Sequence, residues 1–364
     1  MQLLTKTFSN IKPYPLLFDL VPIKGHIFID IETTGLSREN SNIYLIGCGY
    51  FDDKGYNTIQ WFADDYTDEK IILLAFYEYL SGKYSHLIHF NGNKFDIPFL
   101  EYRTRLYNIA YSLDSLINVD LYEIIKPYKN IIGLTTLNQR NIESFLNIYS
   151  DDQFNGGELI KYYHSYVKNP SEDYYYPLIH HNSEDLLGMA KILPILFLKN
   201  TSNCSFTYKE YYIHNYSDYN GQAKQELLIT YSHNLYIPVS FVTTRNEVVI
   251  SMRKDNTAIL RVPVISDTLK LFYSNYKDYY YLPLEDCCIH KSVAEGVDKA
   301  HRIQAKKETC YIKKQGFFIP NIFNNENLSF RTEYNSKNEY ILLNSKNNLN
   351  DYLTKHQLQL NHIF

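Results

Sequence analysis

The sequence predicts an α/β fold, in which a mixed sheet is flanked by helices, followed by a smaller α+β domain at the C-terminal end. Three apolar segments typical of strands follow one another after residue 24, and shorter strands then alternate with helices, as in a mixed sheet. After about residue 200 the pattern changes to consecutive strands joined by polar turns. We therefore expect an N-terminal extension over residues 1–20, a first domain over 21–200 and a C-terminal domain over 201–364.

The predicted elements of the first domain follow from residue periodicity and from turn residues. A turn at Asp52–Gly55 separates the second and third strands, and Pro98 falls in the first turn of a helix, where its missing N–H costs little. We predict strands at 25–32, 42–51, 57–62, 86–90 and 117–120, and helices at 68–80 and 95–106. Helices dominate from 134 to 198, interrupted at Gly156–Gly157 and by an irregular tyrosine-rich segment, Asp173–Pro177.

The C-terminal domain is predicted to contain consecutive strands and one amphipathic helix. The strands span 235–242, 247–253 and 258–264. The helix spans His290–Lys306 and places four apolar residues on one side, namely Val293, Val297, Ala300 and Ile303.

A local excess of positive charge accompanies this predicted helix. Residues 290–316 carry seven Lys or Arg residues against three acids, which favours either contact with a phosphate backbone or a solvated surface. Five tyrosines precede them, which either stack on bases or pack between the domains: Tyr273, Tyr276, Tyr279, Tyr280 and Tyr281.

The composition and charge exclude several classes of protein. The 364 residues carry a net charge of −4, so no overall positive field attracts nucleic acid. Five cysteines without a Cys-x-x-Cys pair fit neither a disulfide framework nor a zinc site, and they indicate a reducing cytoplasm. We find neither a signal peptide nor a stretch of about 20 apolar residues that could span a bilayer, so we expect a cytoplasmic protein without membrane contact.

Two carboxylates end the first strand of the first domain, in the segment Ile27–Leu36. Residues two apart on a strand face the same way, so Asp30 and Glu32 project side by side. Two adjacent carboxylates repel each other and are costly to desolvate, and a divalent cation relieves both costs. Hard oxygen ligands suit magnesium or manganese rather than zinc.

A further acid follows the strand at 86–90. Asp96 lies where this strand gives way to a helix, close to free backbone N–H groups and to the strand ends at which α/β sheets bind ligands. Asp120 ends the next strand, and it is either one more acid of the same site or a helix N-cap.

The segment from His180 to Met189 contributes another acid and two histidines. His181 and Asp185 are four residues apart and share a face of a helix, which suits a metal ligand beside a proton acceptor. His180 lies just off that face if the helix has already begun, and it is better placed if the residues before Asn182 form a loop.

Together these segments resemble a known family. DIETTGL, NGNKFDIPFL and HHNSEDLLGM are similar to the three motifs of the DEDD exonucleases, which have a ribonuclease H-like fold. The spacing from Asn91 to Asp96 resembles the proofreading exonuclease of family B polymerases. Over about residues 25–197, the overall resemblance is to the bacterial YprB-like group of ribonuclease H-like exonucleases.

The resemblance implies roles for individual residues. Two divalent ions, Mg²⁺ or Mn²⁺, would be held by Asp30, Glu32, Asp96 and Asp185. The proton acceptor would be either His181 or His180. His181 takes the position of a tyrosine in one subtype of the family, and His180 takes the position of a histidine in another. We favour His181 because it shares a helical face with Asp185. The terminal nucleotide would contact Asn91, Thr33, Gly35 and Leu36.

The implied function is a metal-dependent 3′→5′ exonuclease that hydrolyses phosphodiester bonds of nucleic acid, with DNA favoured over RNA. The partner is therefore the 3′ end of a DNA or RNA strand, and the sequence does not identify any protein partner. Two alternatives remain: an endonuclease on the same fold and a non-catalytic nucleic-acid-binding module. Retention of all four acids argues against the second alternative, since a binding role does not need them.

Overall fold

The computed structural model describes residues 1–22, 25–150, 154, 156–245, 247–321 and 329–343. The chain divides into two compact units, Met1–Lys199 and Asn200–Phe364, which we describe separately. Throughout the described ranges, no helix combines the length and the apolar character needed to cross a membrane.

The first unit forms a six-stranded mixed sheet from its described residues. The strands are β1 (Gln2–Phe8), β2 (His26–Thr33), β3 (Ile43–Asp52), β4 (Gly55–Phe62), β5 (His86–His89) and β6 (Ile117–Asp120). They lie in the order β1-β4-β3-β2-β5-β6, with β2, β5 and β6 parallel and the other neighbours antiparallel. The α-helices are α1 (Glu69–Leu80), α2 (Asp96–Leu106), α3 (Leu121–Ile125), α4 (Gln139–Phe145), α5 (Gly156–Lys168) and α6 (Glu172–Lys191). The predicted mixed sheet flanked by helices is confirmed.

Helices cover both faces of this sheet. Gln60 and Trp61 are adjacent on β4 and therefore point to opposite faces. Trp61 packs against Phe76 of α1, with ring centroids 6.1 Å apart. Gln60 donates a hydrogen bond of 2.8 Å to Asn182 of α6. The long helix α6 thus lies on the face opposite α1, over the centre of the sheet.

The N-terminal residues differ from the prediction of an extension over 1–20. Strand β1 pairs along its whole length with β4, from Gln2 opposite Phe62 to Phe8 opposite Tyr56. The Met1 ammonium group also forms an ion pair of 2.6 Å with Asp64. Because β1 is an edge strand with mostly exposed side chains, its sequence lacks the apolar character of the inner strands.

Two expectations for the helical region are also wrong. The segment Asp173–Pro177, predicted to be irregular, lies inside α6, which begins at Glu172 and accommodates Pro177 in its second turn. Gly156–Gly157 begins α5 rather than interrupting a helix. As a result, His180 lies well inside a helix and not in a loop before Asn182.

The second unit is built, in its described residues, from strands and short 3₁₀ turns. The strands are β7 (Phe206–Ser217), β8 (Ala223–His233), β9 (Phe241–Arg245), β10 (Val248–Met252), β11 (Thr257–Phe272), β12 (Tyr279–Leu282), β13 (Cys287–His290), β14 (Ile303–Gln304), β15 (Tyr311–Pro320), β16 (Phe330–Arg331) and β17 (Tyr340–Leu342). The long strand β11 pairs with β8 and β10 along its first part and with β15 and β16 along its second. Strands β12, β13 and β14 form a separate three-stranded sheet.

The helix predicted at 290–306 is not formed. This segment instead contains two 3₁₀ turns, Lys291–Val293 and Lys299–His301, followed by β14. The side chains of His290 and Asp298 each accept a hydrogen bond from the backbone N–H of the residue two positions further along the chain. Such local bonds favour separate turns over one continuous helix. The strand predicted at 235–242 also differs, because β9 begins only at Phe241.

Candidate functional site

Strand β2 holds the first two acids at the centre of the sheet. Asp30 lies opposite Gly47 on the neighbouring strand β3, and Glu32, which is 9% exposed, lies opposite Leu45. Burial raises the pKa of Asp30 well above its usual value, and the nearby carboxylates of Asp185, Glu32 and Asp96 raise it further. The four acids, which come from three separate segments of the sequence, therefore lie close enough to interact electrostatically.

Asp96 is the first residue of α2 and lies directly beside β2. Its Oδ1 accepts a hydrogen bond of 3.2 Å from the backbone N–H of Ile31. Burial raises the pKa of Asp96 to about 6; backbone hydrogen bonds oppose this shift, while Asp120 and Asp185 add to it. A Cβ on Gly92 would lie 2.7 Å from the His89 ring and 3.1 Å from Asp96 Oδ2, so glycine allows the loop before α2 to approach closely.

Helix α6 brings the last acid and one histidine to the same place. His181 Nε2 lies 3.4 Å from Asp185 Oδ2, one helical turn away, and 3.6 Å from Glu32 Oε1. Ligand atoms of these three residues all lie within 4.8 Å of one another, an arrangement that could hold a metal ion. His180 instead stacks on the ring of Tyr176, an exposed residue, with centroids 5.3 Å apart.

A buried amide network, which the sequence did not predict, holds Asp30 in place. Asn182 donates a hydrogen bond of 2.7 Å from Nδ2 to Asp30 Oδ2, and its Oδ1 accepts one of 2.8 Å from Gln60. A Cβ on Gly47 would lie only 2.0 Å from Asn182 Oδ1, so glycine lets α6 approach the sheet. A glycine inside an apolar strand is the available sequence signal, since it often marks close backbone approach.

Two further hydrogen bonds fix the backbone of α6 beside the acids. The hydroxyl of Tyr56 donates a hydrogen bond of 2.9 Å to the carbonyl of Leu186. Gln139 of α4 donates one of 3.0 Å to the carbonyl of Asp185. These bonds come from β4 and α4, so residues far apart in sequence set the position of Asp185.

The loop between β5 and α2 presents Asn91 in an unusual conformation. Asn91 has a φ of 61°, and its backbone N–H donates a hydrogen bond of 2.8 Å to Asp120 Oδ1. Asp120 also accepts a hydrogen bond of 3.0 Å from the N–H of Tyr122 and is therefore the N-cap of α3, one of its two predicted roles. Asn91 Oδ1 is buried and, within the described ranges, lacks a hydrogen-bond partner.

The loop after β2 is held by local hydrogen bonds but leaves one apolar side chain in solvent. Thr33 Oγ1 donates a hydrogen bond of 2.8 Å to the carbonyl of Gly35. Asn42 Nδ2 donates one of 2.7 Å to Glu69, which ties the far end of the loop to α1. Leu36 is 87% exposed. Of the four residues predicted to contact a nucleotide, Thr33 ends β2, Gly35 and Leu36 lie in the loop after β2, and Asn91 lies in the loop after β5.

Comparison with known proteins relates the first unit to nucleases. Residues 27–197 match a family model described as the RNase H superfamily, and its mixed sheet with flanking helices is consistent with an RNase H-like fold. A comparison with curated proteins gives no match. An RNase H superfamily domain indicates a nuclease acting on nucleic acid, typically with divalent metal ions.

The residues of this site fit divalent cations. The four acids supply carboxylate oxygens, which hard cations such as Mg²⁺ and Mn²⁺ prefer, and His181 adds one nitrogen beside Glu32 and Asp185. Burial and, after it, the neighbouring carboxylates raise the pKa of Asp30, and a bound cation would favour its ionised form.

Proposed function

We propose that the chain is a metal-dependent 3′→5′ exonuclease of the DEDD type, related to the YprB-like group, with residues 21–200 as its catalytic domain. One observation supports this proposal above others: Glu32 of β2 and Asp185 of α6 both lie beside His181, and Asp96 of α2 hydrogen-bonds to β2 next to Asp30. Such a cluster is costly in a fold unless it binds cations, since like charges in a buried site raise one another's pKa.

In the proposed enzyme, two Mg²⁺ or Mn²⁺ ions are held by Asp30, Glu32, Asp96 and Asp185. When bound, such ions lower the pKa of a water molecule and neutralise the leaving 3′ oxygen. The chain orients the carboxylates beforehand: Asn182 holds one oxygen of Asp30, and the N–H of Ile31 holds one oxygen of Asp96. This orientation reduces the reorganisation that binding requires.

His181 is the proposed proton acceptor for the attacking water. Its Nε2 lies 3.4 Å from Asp185 Oδ2 and 3.6 Å from Glu32 Oε1, so the ring stands beside two of the proposed metal ligands. His180 is a poorer candidate, since its ring stacks on the exposed Tyr176.

The proposed direction of hydrolysis rests on the resemblance to the DEDD exonucleases, and two loops at the site are proposed to contact the terminal nucleotide. Leu36 offers an exposed apolar surface four residues after Glu32, which suits packing against the base of a terminal nucleotide. Asn91 Oδ1 offers a buried acceptor with no hydrogen-bond partner in the described part of the chain. The preference for DNA rests on the resemblance to proofreading exonucleases. The five free cysteines accord with the proposed cytoplasmic location.

End-labelled substrates test this proposal directly. The full-length chain is incubated with DNA and RNA labelled at the 5′ or the 3′ end, and with circular single-stranded DNA, in Mn²⁺, Mg²⁺ or EDTA. A 3′→5′ exonuclease gives a shortening ladder from the 5′ label, releases the 3′ label at once and leaves circles intact. Cleavage of circles supports the endonuclease alternative, and the absence of any cleavage supports the binding module.

Variants connect the activity to the site. Asp30→Ala and Asp185→Ala should abolish hydrolysis, whereas Asp114→Ala, which removes an exposed acid of the same unit, should not. Full activity in either of the first two variants would contradict the proposed metal ligands.

A further inference from the structure

The two units differ in the sign of their net charge. The first unit carries 17 Lys and Arg residues against 24 Asp and Glu residues, and the second carries 19 against 16. A polyanionic strand is therefore repelled by the unit that holds the four acids, and its attraction must come largely from elsewhere.

A cavity of about 520 Å³ lies in the second unit and has a lining suited to a nucleotide. Its volume falls within the range of roughly 300–1,000 Å³ that small-molecule sites occupy. Its described lining is aromatic, hydroxyl-bearing, cationic and aliphatic, and none of these residues is a carboxylate: Leu271, Phe272, Tyr273, Ser274, Lys307, Ser329, Arg331 and Tyr334. This combination suits a ligand with both an aromatic ring and a negative charge.

The aromatic side chains of the lining are fixed by contacts with one another. Phe272 meets Tyr334 edge to face, with centroids 5.5 Å apart, and meets Tyr311 at 5.2 Å. Tyr273 stacks on Tyr279 with centroids 5.0 Å apart and planes 7° from parallel. Rings held in this way can stack on a base without first losing side-chain freedom.

The two cations of the lining have different roles. Arg331 donates a hydrogen bond of 3.0 Å from Nε to Glu339, and its Nη1 donates one of 3.3 Å to the carbonyl of Tyr334. Its charge is therefore neutralised, and it positions Tyr334. Lys307 is exposed and has no carboxylate partner among the residues that the structure describes. Lys307 is thus available to a phosphate.

Other cations near the cavity in sequence are similarly available. Of the seven in residues 290–316, Lys313 pairs with Asp286, and the others have no ion pair within the described ranges. Lys291 and Arg302 both lie over the ring of Tyr280, at 5.3 and 4.9 Å from its centroid. Cations that are not neutralised by an acid remain available to a phosphate backbone.

We propose that this cavity binds an unpaired nucleotide of a nucleic-acid strand, with the base against Tyr334 and Phe272 and the phosphate at Lys307. The identity of the ligand as a strand rests on the proposed nuclease function. The site supplies strand affinity that the acidic first unit lacks. A base within a duplex is already stacked and paired, so the site selects single-stranded nucleic acid.

Binding in EDTA separates this proposal from the nuclease proposal, since hydrolysis is then not needed. A fluorescent single-stranded oligonucleotide is titrated with the full-length chain, beside a blunt duplex of the same sequence and a mononucleotide. We expect the single strand to bind more tightly than either. Failure to bind it in EDTA, with hydrolysis intact in Mn²⁺, overturns this proposal alone; binding without hydrolysis overturns the nuclease proposal alone. Equal binding of the duplex or the mononucleotide also overturns the present proposal.

Variants of two lining residues locate the site. Tyr334→Ala should weaken single-strand binding roughly 5- to 150-fold, the range seen for a lost base–aromatic stack, and Tyr334→Phe should restore it. Lys307→Glu should lower the affinity for the single strand. It should also make the negative slope of the log of the association constant against log salt concentration shallower by about 0.7. Lys254→Glu, the same charge change at an exposed lysine outside the cavity, is the matched control. Equal losses in Lys254→Glu and Lys307→Glu, or wild-type affinity in Tyr334→Ala, contradict the proposal.

Discussion

Asn182 donates a 2.7 Å hydrogen bond from its side-chain amide to Oδ2 of Asp30. The amide is fully buried, and its oxygen is occupied by Gln60 of β4, so Asn182 cannot rotate without breaking both bonds. Burial raises the pKa of Asp30, and this hydrogen bond acts in the opposite direction by favouring the carboxylate. Asn182 therefore fixes one oxygen of Asp30 and favours the charge state that a metal ligand needs.

Replacement of Asn182 by alanine should lower both stability and activity. The free energy of unfolding should fall by about 1–3 kcal/mol, because Gln60 loses a buried acceptor and Asp30 loses a donor. The hydrolysis rate should fall as well, because Asp30 is no longer oriented. Urea denaturation and the end-labelled assay measure the two effects.

Asn215→Ala is the matched control for this variant. Asn215 accepts a 2.8 Å hydrogen bond from Gln225 but is exposed, so its loss should be nearly neutral. If Asn182→Ala is as active as the wild type, the amide network has no part in positioning Asp30.

Local sequence patterns could predict the elements that carry the acids. Strand alternation placed Asp30 and Glu32 on one face of β2, and helical periodicity placed His181 and Asp185 one turn apart on α6. These relationships depend only on the geometry of one strand or one helix, so a single segment contains all the information needed.

Contacts between distant segments could not be predicted in this way. Asn182, Gln60 and Gly47 meet only because α6 crosses β3 and β4, and no local periodicity encodes that crossing. Strand β1 escaped prediction for a related reason, since an edge strand owes its order to pairing with β4 rather than to burial. At 290–306 a helical spacing of apolar residues was misleading, because Val293 is 66% exposed and Ile303 is 54% exposed.

Divalent metal should stabilise the folded chain measurably. A ligand that binds only the native state at 100 times its Kd adds about 2.7 kcal/mol to the free energy of unfolding. We therefore expect the Tm to rise when Mn²⁺ or Mg²⁺ is added to the EDTA-treated chain, as followed by differential scanning fluorimetry.

Asp185→Asn should remove most of this rise in Tm and leave the metal-free Tm equal to or above that of the wild type. The second expectation follows because the substitution removes one of the charges that raise the pKa of Asp30. The control is Asp114→Asn, at an exposed acid, which should keep the full response. A metal-dependent rise of normal size in Asp185→Asn argues against its role as a ligand.

The two adjacent histidines should differ sharply in their effect on hydrolysis. His181→Ala should lower the rate roughly 10²- to 10⁴-fold, as expected for loss of a general base. His180→Ala should leave the rate nearly unchanged, since the ring of His180 stacks on the exposed Tyr176. Single-turnover rates in Mn²⁺ measure both effects, and a large loss confined to His180→Ala would reverse the assignment.

Gly47→Ala should displace α6 from the sheet. The added Cβ would lie 2.0 Å from Asn182 Oδ1 and 2.8 Å from Leu186 Cδ1, distances that require either α6 or β3 to move. Overpacking of this kind lowers the free energy of unfolding by about 1–3 kcal/mol. The hydrolysis rate should also fall, even under conditions where the variant is fully folded, because Asp185 moves with α6. Gly156→Ala is the comparison, since its Cβ meets no atom of the described residues within 4 Å. Thermal denaturation and rate measurements that show no difference between the two variants would contradict the close packing of α6.

Asp120→Ala should weaken substrate binding more than it slows the chemical step. Asp120 accepts hydrogen bonds from the backbone N–H groups of Asn91 and Tyr122, at 2.8 and 3.0 Å, so it holds the loop that presents Asn91 and caps α3. Loss of the cap alone costs about 0.5–2 kcal/mol of stability. Loss of the loop contact should also raise KM for single-stranded substrate while kcat changes less.

Asn138→Ala separates these two effects. Asn138 is the N-cap of α4, where its side chain accepts a hydrogen bond of 2.8 Å from the N–H of Asn141, but it does not hold the loop at Asn91. We expect Asn138→Ala to lower the Tm as Asp120→Ala does and to leave KM unchanged. If both variants raise KM equally, the effect reflects general destabilisation; if only Asp120→Ala does so, Asp120 positions Asn91 for the nucleotide.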